Sequence, residues 1–160
     1  MNSTRKGGIT RLWVAAVLAL GVATAAECQS SFDRAEYLKA AEPGEKKKGE
    51  SVKGSVYFDT SAKNIEFREK KNETDFSIPY GSVKNLLYER ASKPRYAEGI
   101  LLAWPLLLTK SKKHYLTIQY ADATGSGRYV ILHLDKSNYQ AILAEAEAQT
   151  GKKVERSEEH

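Results

Sequence analysis

Apolar and polar residues alternate in short runs from Ser51 onward, and turn-forming segments separate the runs. A period of two is typical of β-strands with one buried face, because successive side chains of a strand point to opposite sides of the sheet. The segment 122–127, Asp-Ala-Thr-Gly-Ser-Gly, predicts a tight turn that joins the last two runs into a hairpin. The pattern predicts about six or seven short strands, centred on these residues: Val56, Ile65, Ile78, Leu87, Trp104, Ile118 and Leu132.

After the last run the apolar spacing changes to that of an α-helix. Positions i, i+3, i+4 and i+7 form one apolar stripe: Tyr139, Ile142, Leu143 and Ala146. Ser137 as N-cap, with Gln140 three residues later, predicts the start of the helix, and Gly151 predicts its end. The expected fold is mainly β with one C-terminal helix (α+β). It is a curved antiparallel sheet or partly open barrel that the amphipathic helix caps.

Residues 1–25 have the layout of an export signal. Three basic residues, an apolar run over 12–22 and the small residues 23–25 follow one another in the order that a signal peptide has. The apolar run is shorter than the roughly 20 residues of a membrane-spanning helix, which favours cleavage over a retained anchor. We therefore expect an exported protein, periplasmic or secreted after cleavage of the signal.

The single cysteine of the chain, Cys28, follows the predicted cleavage site. The residue before it is Glu27, where the signal of a bacterial lipoprotein has a small residue. A lipid anchor on Cys28 is therefore the less favoured alternative. One cysteine also excludes a framework of intramolecular disulfides.

The rest of the chain divides by composition into a linker, a domain and a tail. Residues 26–50 hold few large apolar side chains and include a charged stretch with proline and glycine, so we expect a flexible charged linker. The alternating runs and the helix place the folded domain at 51–154. The charged residues 155–160 are expected to form a disordered tail.

Three parts of this domain resemble a known fold. They are the segment 76–80, Phe-Ser-Ile-Pro-Tyr, with Val83 after it, the hairpin 114–134 with Thr124-Gly125 at its tip, and the end of the helix, 149–153. In these features residues 51–151 resemble a bacterial pleckstrin-homology-like (PH-like) domain of an exported protein. The resemblance implies a small, partly open barrel with a capping helix. It implies no catalytic residues, because the shared patterns belong to the fold.

The charge of the chain depends on whether the export signal is counted. The 160 residues include 25 Lys and Arg against 20 Asp and Glu, a net charge of +5. Removal of residues 1–25 takes away three basic residues and no acidic residue, which leaves a net charge of +2. Most of the basicity therefore belongs to the signal, and no nucleic-acid partner is predicted.

The sequence contains no pattern for nucleotide binding, metal binding or nucleophilic catalysis. Alternation along the strands places His114 on the same face as Leu116 and Ile118, which is the predicted core face. It places His133 on the face opposite to Leu132. The two rings are therefore expected on opposite faces of the sheet, where they would not share a metal or an acid–base site. We predict no cofactor, no metal and no enzymatic activity.

Two surface features are candidates for binding. The first is a set of loop lysines: Lys70, Lys71, Lys110, Lys112 and Lys113. The second is Trp104-Pro105 in the Leu-rich stretch 100–108, which predicts either a buried strand kinked at Pro105 or an exposed apolar patch. We expect a module that binds an unknown envelope protein or peptide through a sheet edge or the Trp104 region. The alternative is weak peripheral binding of anionic envelope lipid through the lysines and Trp104.

Overall fold

The computed structural model describes residues 29–39, 50–71, 73–96 and 111–158, and these residues build one eight-stranded sheet and a helix. Along the chain the elements are β1 Gln29–Lys39, β2 Glu50–Asp59, β3 Asn64–Glu69, β4 Thr74–Pro79, a 3₁₀ turn Tyr80–Ser82, β5 Val83–Ala91, β6 Lys113–Ala121, β7 Gly127–Leu134, α1 Tyr139–Thr150 and β8 Val154–Glu158. In the sheet the strands lie in the order β4-β3-β2-β1-β7-β6-β5-β8. All neighbours are antiparallel except β5 and β8. The sheet is therefore mixed, and it is not closed, because β4 and β8 are its edges.

The predicted alternation accounts for the core on the helix side of the sheet. The strand residues with the expected parity are fully buried there: Val56, Phe58, Ile65, Phe67, Leu116, Ile118, Leu132 and Leu134. The helix packs over them with its predicted stripe, in which Ile142, Leu143 and Ala146 are buried and Tyr139 is half-buried. The fold class predicted from the sequence, mainly β with one C-terminal helix, is confirmed.

The helix begins one residue later than its predicted capping box requires. Asn138 is the N-cap, and no side chain bonds to the first turn. The hydroxyl of Ser137 instead donates to Oδ1 of Asp135, at 2.6 Å, which keeps Ser137 in the preceding turn. At the other end Gly151 has the predicted left-handed conformation, with φ of 65°, and its N–H donates to the carbonyl of Glu147.

Strand β1 corrects the prediction of a linker over 26–50. It pairs with β2 along its length and with β7 at its centre, so it lies in the middle of the sheet. Its residues Ala35 and Leu38 are buried. A bulge at 33–34 interrupts the alternation of this strand. The sequence therefore lacks the continuous period of two that would have predicted β1. Residues 40–49 of the predicted linker lie outside the described residues.

Strand β8 corrects the prediction of a disordered tail over 155–160. It runs parallel to β5 and forms one edge of the sheet. Val154 at its start is buried, and the guanidinium of Arg156 lies over the ring of Tyr88. Charged residues on an edge strand discourage pairing with another chain, so their presence here is compatible with ordered structure. Residues 159–160 lie outside the described part.

Several sequence predictions concern residues that the structure does not describe. These are the export signal 1–25, the thiol of Cys28 and the Leu-rich stretch 100–108. Within the four described ranges, no helix has the length and apolar character needed to cross a bilayer.

Candidate functional site

A cavity of about 700 Å³ lies where the ends of β5 and β7, the start of β6 and the central parts of β1 and β2 come together. Its described lining is strongly basic. Seven lysine and arginine side chains line it: Arg34, Lys53, Lys70, Arg90, Lys112, Lys113 and Lys136. Three carboxylates accompany them: Asp33, Glu36 and Asp135. Such an excess of cations in a concave surface creates a positive potential that attracts anions.

Strand register explains why residues distant in sequence meet at this cavity. Arg90 on β5 lies opposite His114 on β6, and His114 lies opposite Leu134 on β7. Leu134 in turn lies opposite Ala35 on β1, which lies opposite Gly54 on β2. One row across five neighbouring strands therefore carries the lining residues to a common place.

Within that row, β1 contains a bulge between Phe32 and Ala35. Arg34 in the bulge has a left-handed backbone, with φ of 61°. Asp33 fixes the bulge from two sides, because its carboxylate accepts the hydroxyl of Ser55 at 2.7 Å and its carbonyl accepts the side-chain amide of Asn138. A bulge redirects a side chain relative to the regular strand, and Arg34 lines the cavity here.

The carboxylates of the cavity are already engaged by neighbouring donors. Glu36 accepts the hydroxyl of Ser51 at 3.1 Å and lies 3.9 Å from Nζ of Lys53. Asp135 accepts both the backbone N–H and the hydroxyl of Ser137, and these bonds hold the pKa of Asp135 below its usual value. Asp135 therefore remains ionised. Three carboxylates can balance only part of the charge of seven cationic side chains.

Both histidines of the described strands line the cavity, and their rings have different surroundings. Nδ1 of His114 lies 2.7 Å from the hydroxyl of Tyr88, and the ring stacks on Tyr139 of the helix. His133 contacts the ring of Tyr115, and its Nδ1 lies 3.3 Å from Glu36. Burial lowers the pKa of both imidazoles, so both are largely neutral at pH 7.

A metal ion among the described residues would require a defined set of ligand side chains. In these residues no group of three His, Cys, Asp or Glu side chains is arranged to hold a metal ion. The absence of a cofactor, a metal and an enzymatic activity stays a prediction.

The cavity brings together some of the predicted site residues. Lys70, Lys112 and Lys113 line it, whereas Lys71 is exposed and is not part of the lining. The predicted contacts Trp104, Pro105 and Lys110 lie outside the described residues.

Sequence reasoning missed four cations of the lining: Arg34, Lys53, Arg90 and Lys136. They are single charges on strands or at strand ends and are spread over about a hundred residues of the chain. These four residues form no cluster in the sequence that would indicate a shared site. Only the strand order brings them together.

Comparison with known proteins identifies the fold and leaves the family open. No family model matches the chain, and no curated protein matches it. Among solved structures, one match is to a chain in the structure of the Spt16D Pob3N heterodimer, with a TM-score of 0.50 and 13% sequence identity. The match covers 82% of this chain and 56% of that chain, so this chain spans little more than half of its length. At this identity the likeness concerns the fold alone, and it supports a PH-like β fold.

Proposed function

We propose that this chain is an exported, non-enzymatic binding module of the bacterial PH-like type, which binds anionic envelope lipid through its basic cavity. The observation that carries the proposal is the convergence of seven cationic side chains on one cavity with three carboxylates. Each well-placed lysine near an anionic membrane contributes about 1 kcal/mol to binding. A few such residues together are enough for reversible peripheral attachment.

The contacts inside the cavity favour binding over catalysis. Glu36, Asp33 and Asp135 each accept hydrogen bonds from neighbouring side chains, which suits fixed charges better than proton transfer. Of the histidines, His114 is hydrogen-bonded to the hydroxyl of Tyr88 and stacks on Tyr139, and His133 lies beside Glu36. The described lining therefore offers charge and shape, which supports a binding site.

Several of the cationic side chains are placed where a membrane surface could reach them. Arg34, Lys53, Lys70, Arg90 and Lys112 are exposed. Attraction between such charges and a surface falls off over about 8 Å at physiological salt, so the charges nearest the surface contribute most. The lysine pair 152–153, which belongs to a different part of the chain, serves as an internal comparison.

Sedimentation with vesicles tests the proposal. The chain from residue 26 keeps every described strand and the helix, and it lacks the apolar run that would itself insert into lipid. We expect it to bind phosphatidylglycerol vesicles at low salt and to be released from them at high salt. It should not bind phosphatidylcholine vesicles.

A pair of double variants locates the binding surface. K112Q/K113Q should weaken vesicle binding by roughly tenfold to thirtyfold, since it removes two cations from the cavity. K152Q/K153Q removes the same charge elsewhere and should change binding far less. Equal losses in both variants would mean that net charge alone drives binding, and absence of binding by the parent would end the proposal.

A peptide or protein partner at a sheet edge is the second candidate function. Its support is that, among the described strands, β4 pairs with β3 alone. The other side of Thr74–Pro79 could then accept an added strand. Capture from an envelope fraction tests it. A captured partner that protects the β4 amides from hydrogen exchange would favour this candidate, and protection at the cavity instead would favour the first.

A further inference from the structure

Arg34 has a backbone conformation that costs free energy and that glycine would adopt without strain. Its φ of 61° is left-handed, a region that costs an L-residue other than glycine about 1–2 kcal/mol. The other described residue of this kind, Lys63, lies in the turn between β2 and β3, where such angles are common. Arg34 lies inside a strand, and nothing in the geometry of a bulge requires a long cationic side chain.

The bulge is held firmly enough to present this side chain in a fixed place. The hydrogen bonds of Asp33 with Ser55 and Asn138 tie it to β2 and to the start of the helix. Both partners lie on elements outside β1, so the strained backbone at Arg34 is supported by its surroundings. Strain of this type concentrates at sites that bind ligands.

The arginines of the described ranges fall into two groups, those with a carboxylate partner and those without one. Arg68, Arg95 and Arg128 each form an ion pair with a carboxylate, at 2.6, 3.4 and 3.0 Å. Within the described ranges, Arg34, Arg90 and Arg156 form no ion pair. Of these three, Arg34 and Arg90 line the cavity. The carboxylate of Asp135 is hydrogen-bonded to Ser137, and the nearby charge of Arg34 also helps to lower the pKa of Asp135.

We propose that Arg34 makes the cavity specific for a phosphate group, an inference that rests on the proposed function. A guanidinium donates two parallel N–H bonds to a phosphate, a geometry that a lysine cannot supply. The lysines of the cavity then act as point charges around the bound group. The phosphate belongs either to a phospholipid headgroup or to a free phosphate ion, since both present the same oxygens to the guanidinium.

Titration of the full chain with soluble probes tests this assignment. Inorganic phosphate and glycerophosphoglycerol, the deacylated headgroup of phosphatidylglycerol, are each added while the amide resonances of residues 33–36 are followed by NMR. We expect saturable shifts with the parent chain. Tighter binding of glycerophosphoglycerol identifies the lipid headgroup as the source, and tighter binding of inorganic phosphate identifies the free ion.

The variant R34G separates binding from folding. Glycine adopts a left-handed φ without strain, so R34G should melt at the same temperature as the parent or higher. Its Kd for the probe that binds the parent should rise by about tenfold or more, because a charge-assisted bidentate contact is lost. R34K keeps the positive charge but cannot donate two parallel N–H bonds. It should also bind more weakly than the parent.

The control is R128Q, which removes an arginine from the distant hairpin and should leave the Kd unchanged. A Kd of R34G within about twofold of the parent would overturn the inference, as would the absence of any saturable shift in the parent. If vesicle binding still depends on the 112–113 pair in either case, the proposed function stands and only the role of Arg34 fails.

Discussion

At the scale of single residues, Gly54 is the described glycine at which an added side chain would have the least room. A Cβ built on it would collide with the carbonyl oxygen of Arg68 and would lie 2.8 Å from the ring of Phe67. Gly54 belongs to the row of residues that forms the cavity, opposite Ala35 on β1. The close approach of β2 and β3 at this point therefore depends on the missing side chain.

The variant G54A should destabilise the protein by about 1–3 kcal/mol or more, because the backbone carbonyl cannot move away cheaply. Urea unfolding followed by circular dichroism measures this change. G81A is the matched control, since nothing lies within 4 Å of its added Cβ, and its midpoint should stay close to that of the parent. Equal midpoints for G54A and the parent would contradict this packing argument.

The histidines give stability a defined dependence on pH. Burial lowers the pKa of His114 and of His133 in the folded state, so the unfolded chain binds protons more readily. Stability is therefore complete above about pH 6.5, the unfolded value, and falls as the pH drops below it through the folded pKa values.

The variant H114Q should reduce this loss of stability between pH 7.5 and about pH 5.5, because one of the two depressed groups is removed. Glutamine keeps an acceptor that can face the hydroxyl of Tyr88. Urea midpoints across this pH range provide the measurement. An unchanged slope in H114Q would show that the imidazole does not contribute.

At the scale of elements, the two ends of the helix were predictable to different degrees. The C-terminal end follows from glycine chemistry, because Gly151 is the residue best suited to a left-handed cap. The N-terminal end was misplaced because Ser137 has a second acceptor nearby, the carboxylate of Asp135. A competing local hydrogen bond of this kind is not visible in a capping-box pattern.

The variant G151A should cost about 1–2 kcal/mol of stability, from the left-handed conformation alone, since its added Cβ meets no neighbour. G127A is the control. Its Cβ also enters open space, and its φ is not left-handed, so it should be neutral or slightly stabilising. Similar thermal midpoints for the two variants would contradict this explanation of the cap.

Strand β1 makes a further prediction about the boundary of the domain. Because β1 lies between β2 and β7, a chain that begins at residue 50 would lose the strand that joins the two halves of the sheet. We expect the chain from residue 26 to show dispersed NMR amide signals and the chain from residue 50 to be unfolded. Native-like dispersion in the shorter chain would contradict the central place of β1.

At the scale of the whole molecule, the fold was predictable and the site was predictable only in part. The alternation in the strands and the change to a helical period depend only on local sequence. The burial of residues such as Phe67 and Ile142 could therefore be predicted from their neighbours in the chain. The cavity depends on strand order, which places Arg34 and Arg90 together although more than fifty residues separate them. The lysine pair 112–113 was found because it forms a cluster in the sequence itself.

Hydrogen exchange in the presence of phosphatidylglycerol vesicles shows whether anionic lipid binds at the basic cavity. The chain from residue 26 is compared with and without vesicles. Lipid binding at the cavity should slow exchange at residues 33–36 and 112–114 and leave the distant turn 122–127 unchanged. Slower exchange at that turn or along β4, with none at the cavity, would contradict it.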